Sequence, residues 1–90
     1  MELTIPHGLG REGAKQKLEE LARKHDVAIE PDAGGFGGTI EKKAPLVGKV
    51  RASYTVNEAD VHVTVTQAPR LLPEATLRRM IEEELGRELA

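Results

Sequence analysis

Two runs in the second half of the chain alternate with a period of two, and they constrain the fold more than any other feature. Val50, Ala52, Tyr54 and Val56 alternate with Arg51, Ser53 and Thr55, while Val61, Val63 and Val65 alternate with His62, Thr64 and Thr66. Successive side chains of a strand point to opposite faces, so each run carries one apolar and one polar face. Asn57-Glu58-Ala59-Asp60 places turn-forming types between them. The two runs therefore predict an antiparallel hairpin with Tyr54 and the valines on one face. A hairpin with one oily face is not stable alone in water, so further layers must cover it.

The remaining segments supply those layers. Met1 to Ile5 puts Leu3 and Ile5 on one face of a short strand that Pro6 stops. After the turn His7-Gly8-Leu9-Gly10, the residues Ala14, Leu18, Leu21, Ala22 and His25 recur at helical spacing. Gly10 is the expected N-cap, because no Ser, Thr, Asp or Asn precedes this helix. Val27 to Glu30 reads as a short strand before the turn types of Pro31 to Gly35, and Phe36 to Glu41 as another, with Gly38 as a bulge or a point of close approach. Pro73 suits the first position of a closing helix, where Leu77, Ile81, Leu85 and Leu89 repeat every four residues. Opposite charges four apart, Arg78 with Glu82, Arg79 with Glu83 and Glu83 with Arg87, are expected on its wet side.

The order β-α-β-β-β-β-α implies an α+β fold: an antiparallel sheet of four to five strands with two helices packed on one face. The other face collects Thr4, Glu30, Thr39, Glu41, Lys49, Arg51, Thr55, His62, Thr64 and Thr66, which water solvates. An open sheet leaves edge strands that can pair with a second copy, so a homodimer is one expectation. With 90 residues the chain reads as a single domain, 1–90.

Composition narrows the function. A formal charge of -2 argues against a general phosphate-backbone binder, so no nucleic acid is expected as partner. The absence of Cys removes disulfides, thiolate metal sites and a cysteine nucleophile, as in a reduced cytosolic chain. Neither a signal-type start nor a run of membrane-spanning length is present in the sequence, so the expected location is cytoplasmic.

Residues with chemical potential are scattered. His7 lies in a turn, His25 ends a helix and His62 sits mid-strand, without metal-ligand spacing among them. Gly34 to Gly38 lacks the Gly-Lys-Ser/Thr ending of a P-loop and leads into a strand, so it reads as a flexible connection. Lys42, Lys43, Lys49 and Arg51 around Pro45 form a basic stretch without aromatic platforms. Ser53, the single serine, has no nucleophile elbow, and the adjacent carboxylates Glu82, Glu83 and Glu84 point in different directions on a helix. No catalytic residues, cofactor or metal ligands are assigned, and the chain is expected not to be an enzyme. Two adjacent leucines, Leu71 and Leu72, precede Pro73. They either staple the helix start to the core, which is the favoured reading, or stay exposed as an apolar contact for a partner or surface.

The His7-Gly8-Leu9 turn into Arg11-Glu12-Gly13-Ala14, the Leu18 and Leu21 helix, Gly48-Lys49-Val50, Val61-His62-Val63-Thr64-Val65, and Leu71-Leu72-Pro73 followed by Ile81-Glu82-Glu83-Glu84-Leu85 occur in that order over nearly the whole chain. In this arrangement the chain resembles the polyhydroxyalkanoic acid system protein family, small bacterial proteins encoded beside genes for storage-polyester synthesis. Glu74-Ala75 departs from the Lys-Gly-like continuation expected after Pro73, and the stretch from Gly34 to Gly38 is richer in glycine. The resemblance implies an association with polyester granules or their metabolism; together with the lack of a catalytic constellation it leads to the expectation of a non-enzymatic accessory protein acting through protein or hydrophobic-surface contact, for which Leu71 and Leu72 are the candidate contacts. It carries no catalytic residues to transfer. The alternative is a small hydrophobic-ligand binding protein with a helix-over-sheet cavity and Tyr54 as its polar handle. Against it, a core with 2% aromatic residues needs most inward side chains for packing.

Overall fold

In a computed structural model, which describes residues 1–44 and 48–89, the chain runs β1 (Glu2–Pro6), α1 (Gly10–Lys24), β2 (Ala28–Pro31), β3 (Gly37–Ala44), β4 (Gly48–Val56), β5 (Asp60–Gln67) and α2 (Glu74–Leu89). The five strands form one sheet in the order β1-β5-β4-β3-β2, with every neighbouring pair antiparallel. The architecture is the α+β arrangement that the element order implies.

The alternating runs pair as the hairpin predicts: Val56 faces Val61, Tyr54 faces Val63 and Ala52 faces Val65. On the other side of β5, Ile5 faces Val61 and Leu3 faces Val63, so the apolar rows extend into β1. Ile40 opposite Ala52, and Ile29 opposite Ile40, carry one row to the far edge. Arg51 pairs with Gln67 rather than Thr66, so Thr66 is the extra residue of a bulge, and its hydroxyl donates to the Arg51 carbonyl at 3.1 Å.

Both helices lie over this apolar face. Ala14, Leu21 and Ala22 of α1 and Leu77 and Leu89 of α2 are buried with Leu3, Ile5, Ala52, Tyr54, Val56, Val61 and Val63. Each large aliphatic side chain so buried stabilises the fold by about 1.5–3 kcal/mol. Leu18, Ile81, Leu85, Ile29, Ile40 and Phe36 pack against this core but keep part of their surface. Among the described residues, no helix is long and apolar enough to cross a membrane.

The opposite face is polar, and its charges are matched locally. Glu41 meets Lys49 at 3.4 Å and Arg51 at 3.2 Å. Desolvation pushes the Glu41 carboxyl up, but the two cations outweigh it and hold the group below its ordinary range. Lys42 donates to the backbone carbonyl of His25. The basic stretch expected around Pro45 is thus partly consumed by internal partners; Pro45 itself lies outside the described residues.

Several local features depart from the sequence reading. Leu9, not Gly10, holds the N-cap position of α1 and makes no side-chain cap. His7 organises that turn instead: its Nδ1 accepts the Leu9 N–H at 3.3 Å, while Nε2 donates to the Asn57 carbonyl at 3.0 Å. Pro73 precedes α2, and its carbonyl accepts the Leu77 N–H at 3.0 Å, so it caps the helix from one position outside. On α2, Arg78 pairs with Glu74 and Arg87 with Glu84, in place of the expected partners.

The connection from β2 to β3 is a turn tied by its own hydrogen bonds. Asp32 Oδ1 accepts the N–H groups of Gly34 and Gly35, each at 3.0 Å, and the Asp32 N–H donates to the Gly37 carbonyl at 2.8 Å. Gly38 then passes close to β2 with φ +153°; a Cβ there would lie 2.2 Å from the Glu30 carbonyl oxygen. That contact is with backbone and cannot be relieved by a rotamer change.

At the end of α1 the Val27 N–H bonds the Ala22 carbonyl at 2.8 Å and the Asp26 N–H bonds Arg23, with Asp26 at φ +56°. This is a Schellman cap with aspartate where glycine is usual. Two substitutions should therefore move stability in opposite directions. Gly38→Ala is expected to destabilise by roughly 2 kcal/mol or more, and Asp26→Gly to stabilise by about 0.5–1 kcal/mol through relief of the left-handed strain; urea unfolding of both variants checks the pair.

Candidate functional site

Because α1 reaches the sheet near β2 and β4 while α2 lies along β1, the space between the helices over the middle of the sheet is not filled. A cleft of about 160 Å³ remains there. Leu18, Leu21 and Ala22 come from α1, Val27 from its cap, Ile29, Ile40, Tyr54, Val61 and Val63 from the sheet, and Leu85 from α2. Almost all of the lining atoms are apolar. Tyr54 is the aromatic member of this lining, and the other apolar members are aliphatic.

Two polar residues complete the lining, His25 and Glu84. The Schellman cap fixes the end of α1, and His25 Nε2 lies 3.3 Å from Glu84 Oε1 on α2. Lys42 holds the same point from β3 through the His25 carbonyl. The clasp thus ties α1, α2 and the sheet together at the margin of the cleft. Glu84 stands apart from Glu82 and Glu83 because α2 turns it toward α1, a tertiary effect that no local spacing reveals.

Glu88 joins the group from one turn further along α2. One ligand atom each from His25, Glu84 and Glu88 fall within 4.8 Å of one another, a spacing that a divalent cation can bridge. The carboxylates already face cations, however: Lys17 at 3.9 Å and Lys24 at 4.0 Å from Glu88, and Arg87 beside Glu84. The arrangement accordingly works as an ion-pair network between the helices. His62 is likewise occupied. It donates from Nε2 to Glu2 at 3.1 Å and accepts the Thr4 hydroxyl at Nδ1 at 3.3 Å, an assignment that follows from the carboxylate being acceptor only.

Of the residues singled out in the sequence, Tyr54 belongs to the cleft and Leu71 and Leu72 do not. Leu71 is 88% exposed, against the core-packing expectation. It falls in the turn before Pro73 with no element over it among the described residues, and the Leu72 N–H bonds back to the Pro69 carbonyl at 3.2 Å. Leu72 is half-buried and lines a second, wider depression of about 220 Å³ with Met1, Val65, Gln67 and Leu77. That depression mixes polar and apolar atoms and opens broadly to solvent. Near the other end of the sheet, the Arg11 guanidinium stacks 3.9 Å from the Phe36 ring centre and donates from Nε to the Val56 carbonyl at 3.1 Å. This contact seals the side of the core.

No family model, curated protein or solved structure matches the chain.

Tyr54 is the titratable residue on the sheet side of the cleft. Burial is the main cause that pushes its phenol above the ordinary value of 10.0, and the charges of Glu19 and Asp32 add to it. The fold favours the neutral phenol, so its stabilising contribution is whole below the unfolded-state value and is lost as pH rises from there through the folded-state value. Since Tyr54 is the single tyrosine, spectrophotometric titration reads it directly: the native midpoint should lie above that of the urea-unfolded chain, and Glu19→Gln should bring it down.

Proposed function

We propose that the protein works by binding rather than by turnover, and that its ligand is a small apolar molecule held in the cleft between the helices and the sheet. The observation that carries this reading is the cleft itself. Its volume of about 160 Å³ is close to that of a dry aliphatic cavity able to hold a benzene-sized guest, roughly 150 Å³. An unfilled space of that size weakens packing, at about 24 cal/mol per Å³ where it is fully enclosed. A ligand offsets that loss without any change of backbone.

The test combines a probe with a variant that occupies the same space. Benzene added to the labelled protein should shift the methyl resonances of Leu18, Val61 and Leu85, while those of Leu71 stay in place. Ala22→Leu, which extends an α1 side chain into the cleft, should stabilise by about 1–2 kcal/mol and abolish the benzene response. Unchanged cleft methyls at saturating benzene in the wild-type protein would remove the reading.

A second reading keeps to the resemblance with the polyhydroxyalkanoic acid system proteins: a non-enzymatic accessory protein that contacts polyester granules or a protein upon them. The exposure of Leu71, 88%, favours it, because a large aliphatic side chain at a loop tip can enter an apolar surface at little conformational cost. A fluorescent fusion in polyester-accumulating cells should then decorate the granules, and Leu71→Asp should return it to the cytoplasm; a wild-type signal that stays diffuse beside full granules would count against this role.

A further inference from the structure

We infer that the ligand of the cleft is a neutral aliphatic alcohol, with its hydrocarbon part against the valines and leucines and its hydroxyl between His25 and Glu84. The inference deepens the ligand-binding reading above and rests on it. It starts from where polarity is placed. Leu18, Ile40, Val61 and Val63 offer no hydrogen-bond partner to a guest; the lining residues with polar groups are Tyr54 on the sheet and, together at one margin, His25 and Glu84.

Those two groups differ in what they offer. A carboxylate only accepts, and an imidazole nitrogen facing it donates. At 3.3 Å the His25–Glu84 contact is long for a hydrogen bond. Both side chains keep about two-fifths of their surface in water, 43% and 41%, so they can part by rotamer changes alone. A hydroxyl entering between them donates to Glu84 Oε1 and accepts from His25 Nε2, and so replaces one long contact with two of ordinary length. Groups that only donate or only accept satisfy one side and leave the other without a partner.

The surrounding charges select against ionic heads. Glu88 already faces Lys17 and Lys24, and Glu84 faces Arg87. These charges are already paired with one another, so a carboxylate head would have to compete with Glu84 and Glu88 for the three cations, and an ammonium head would have to compete with the cations for the carboxylates. A neutral hydroxyl disturbs none of these pairs. The volume limits the hydrocarbon part to about six carbon atoms, by the scale of the benzene-sized guest.

Binding of 1-pentanol, n-pentane, pentanoate and pentylamine, each followed through the Leu18 and Val61 methyl resonances of the whole protein, tests the proposal. The wild-type protein should bind pentanol and pentane, with pentanoate and pentylamine weaker than pentanol. Glu84→Ala and His25→Ala should each weaken pentanol by roughly three- to tenfold and leave pentane unchanged, which also shows that the cleft survives the substitution. Glu84→Gln, which keeps an acceptor oxygen, should retain most of the pentanol affinity. Equal pentanol binding in the wild type and both alanine variants, or tighter binding of either ionic probe, overturns the alcohol assignment while the cleft reading stands. If neither pentane nor pentanol moves the cleft methyls, both fall together.

Discussion

The register of β4 on β5 is the constraint from which the rest follows. Placing Val56 opposite Val61 and Tyr54 opposite Val63 puts every large apolar side chain of the hairpin on one face, and a slip by one residue would move them all into water. β1 can join only on the face so defined, with Leu3 and Ile5 opposite Val63 and Val61. On the other side, β3 brings Ile40 opposite Ala52. The bulge at Thr66 ends the strict alternation beyond Val65, where the chain leaves the sheet toward α2.

Much of this was legible in the sequence because it rests on short-range periodicity. Alternation placed the hairpin and its inward face, and the four-residue repeat from Leu77 to Leu89 identified the buried stripe of α2. Gly38 reads in the sequence as a bulge or a point of close approach, and the Glu30 carbonyl beside it makes it the second. What was not legible depends on contacts between distant segments. The Gly34 to Gly38 stretch resembles a flexible linker in composition, yet Asp32 organises it through three backbone groups, Gly34 N–H, Gly35 N–H and Gly37 C=O. Leu71 and Leu72 are chemically identical, and only the path of the turn decides that one is exposed and the other half-buried. The His25–Glu84 clasp joins residues from two helices that no spacing rule connects, and the Schellman cap that positions it carries aspartate where a sequence reader looks for glycine.

The cleft has a compositional origin. A two-layer fold with five strands and two helices encloses more space than small aliphatic side chains fill, and large aromatic residues normally occupy the difference. Here only Phe36 and Tyr54 are available. Phe36 is drawn to the side of the core beneath Arg11, and Tyr54 forms one wall of the cleft. Alanines at 14, 22 and 52 are buried where longer side chains would otherwise reach across. Scarcity of aromatic residues thus leaves the packing between helices and sheet to aliphatic side chains, and the cleft lies where those from α1, α2 and the sheet meet.

The same shortage explains why the helices are tied by polar contacts. Across an unfilled gap, dispersion between α1 and α2 is weak, since each atom that faces empty space loses its partners there. The His25–Glu84 pair and the lysines on Glu88 span that gap at its margin, with Lys42 adding a bond from the sheet. Exposed ion pairs of this kind contribute little stability one by one, with a median of about 0–1 kcal/mol, and their side chains exchange partners readily. They join the helices at the margin of the cleft, whereas the valine layer beneath is fixed by strand register. The two layers differ in what holds them, apolar contacts below and charged, solvated contacts above.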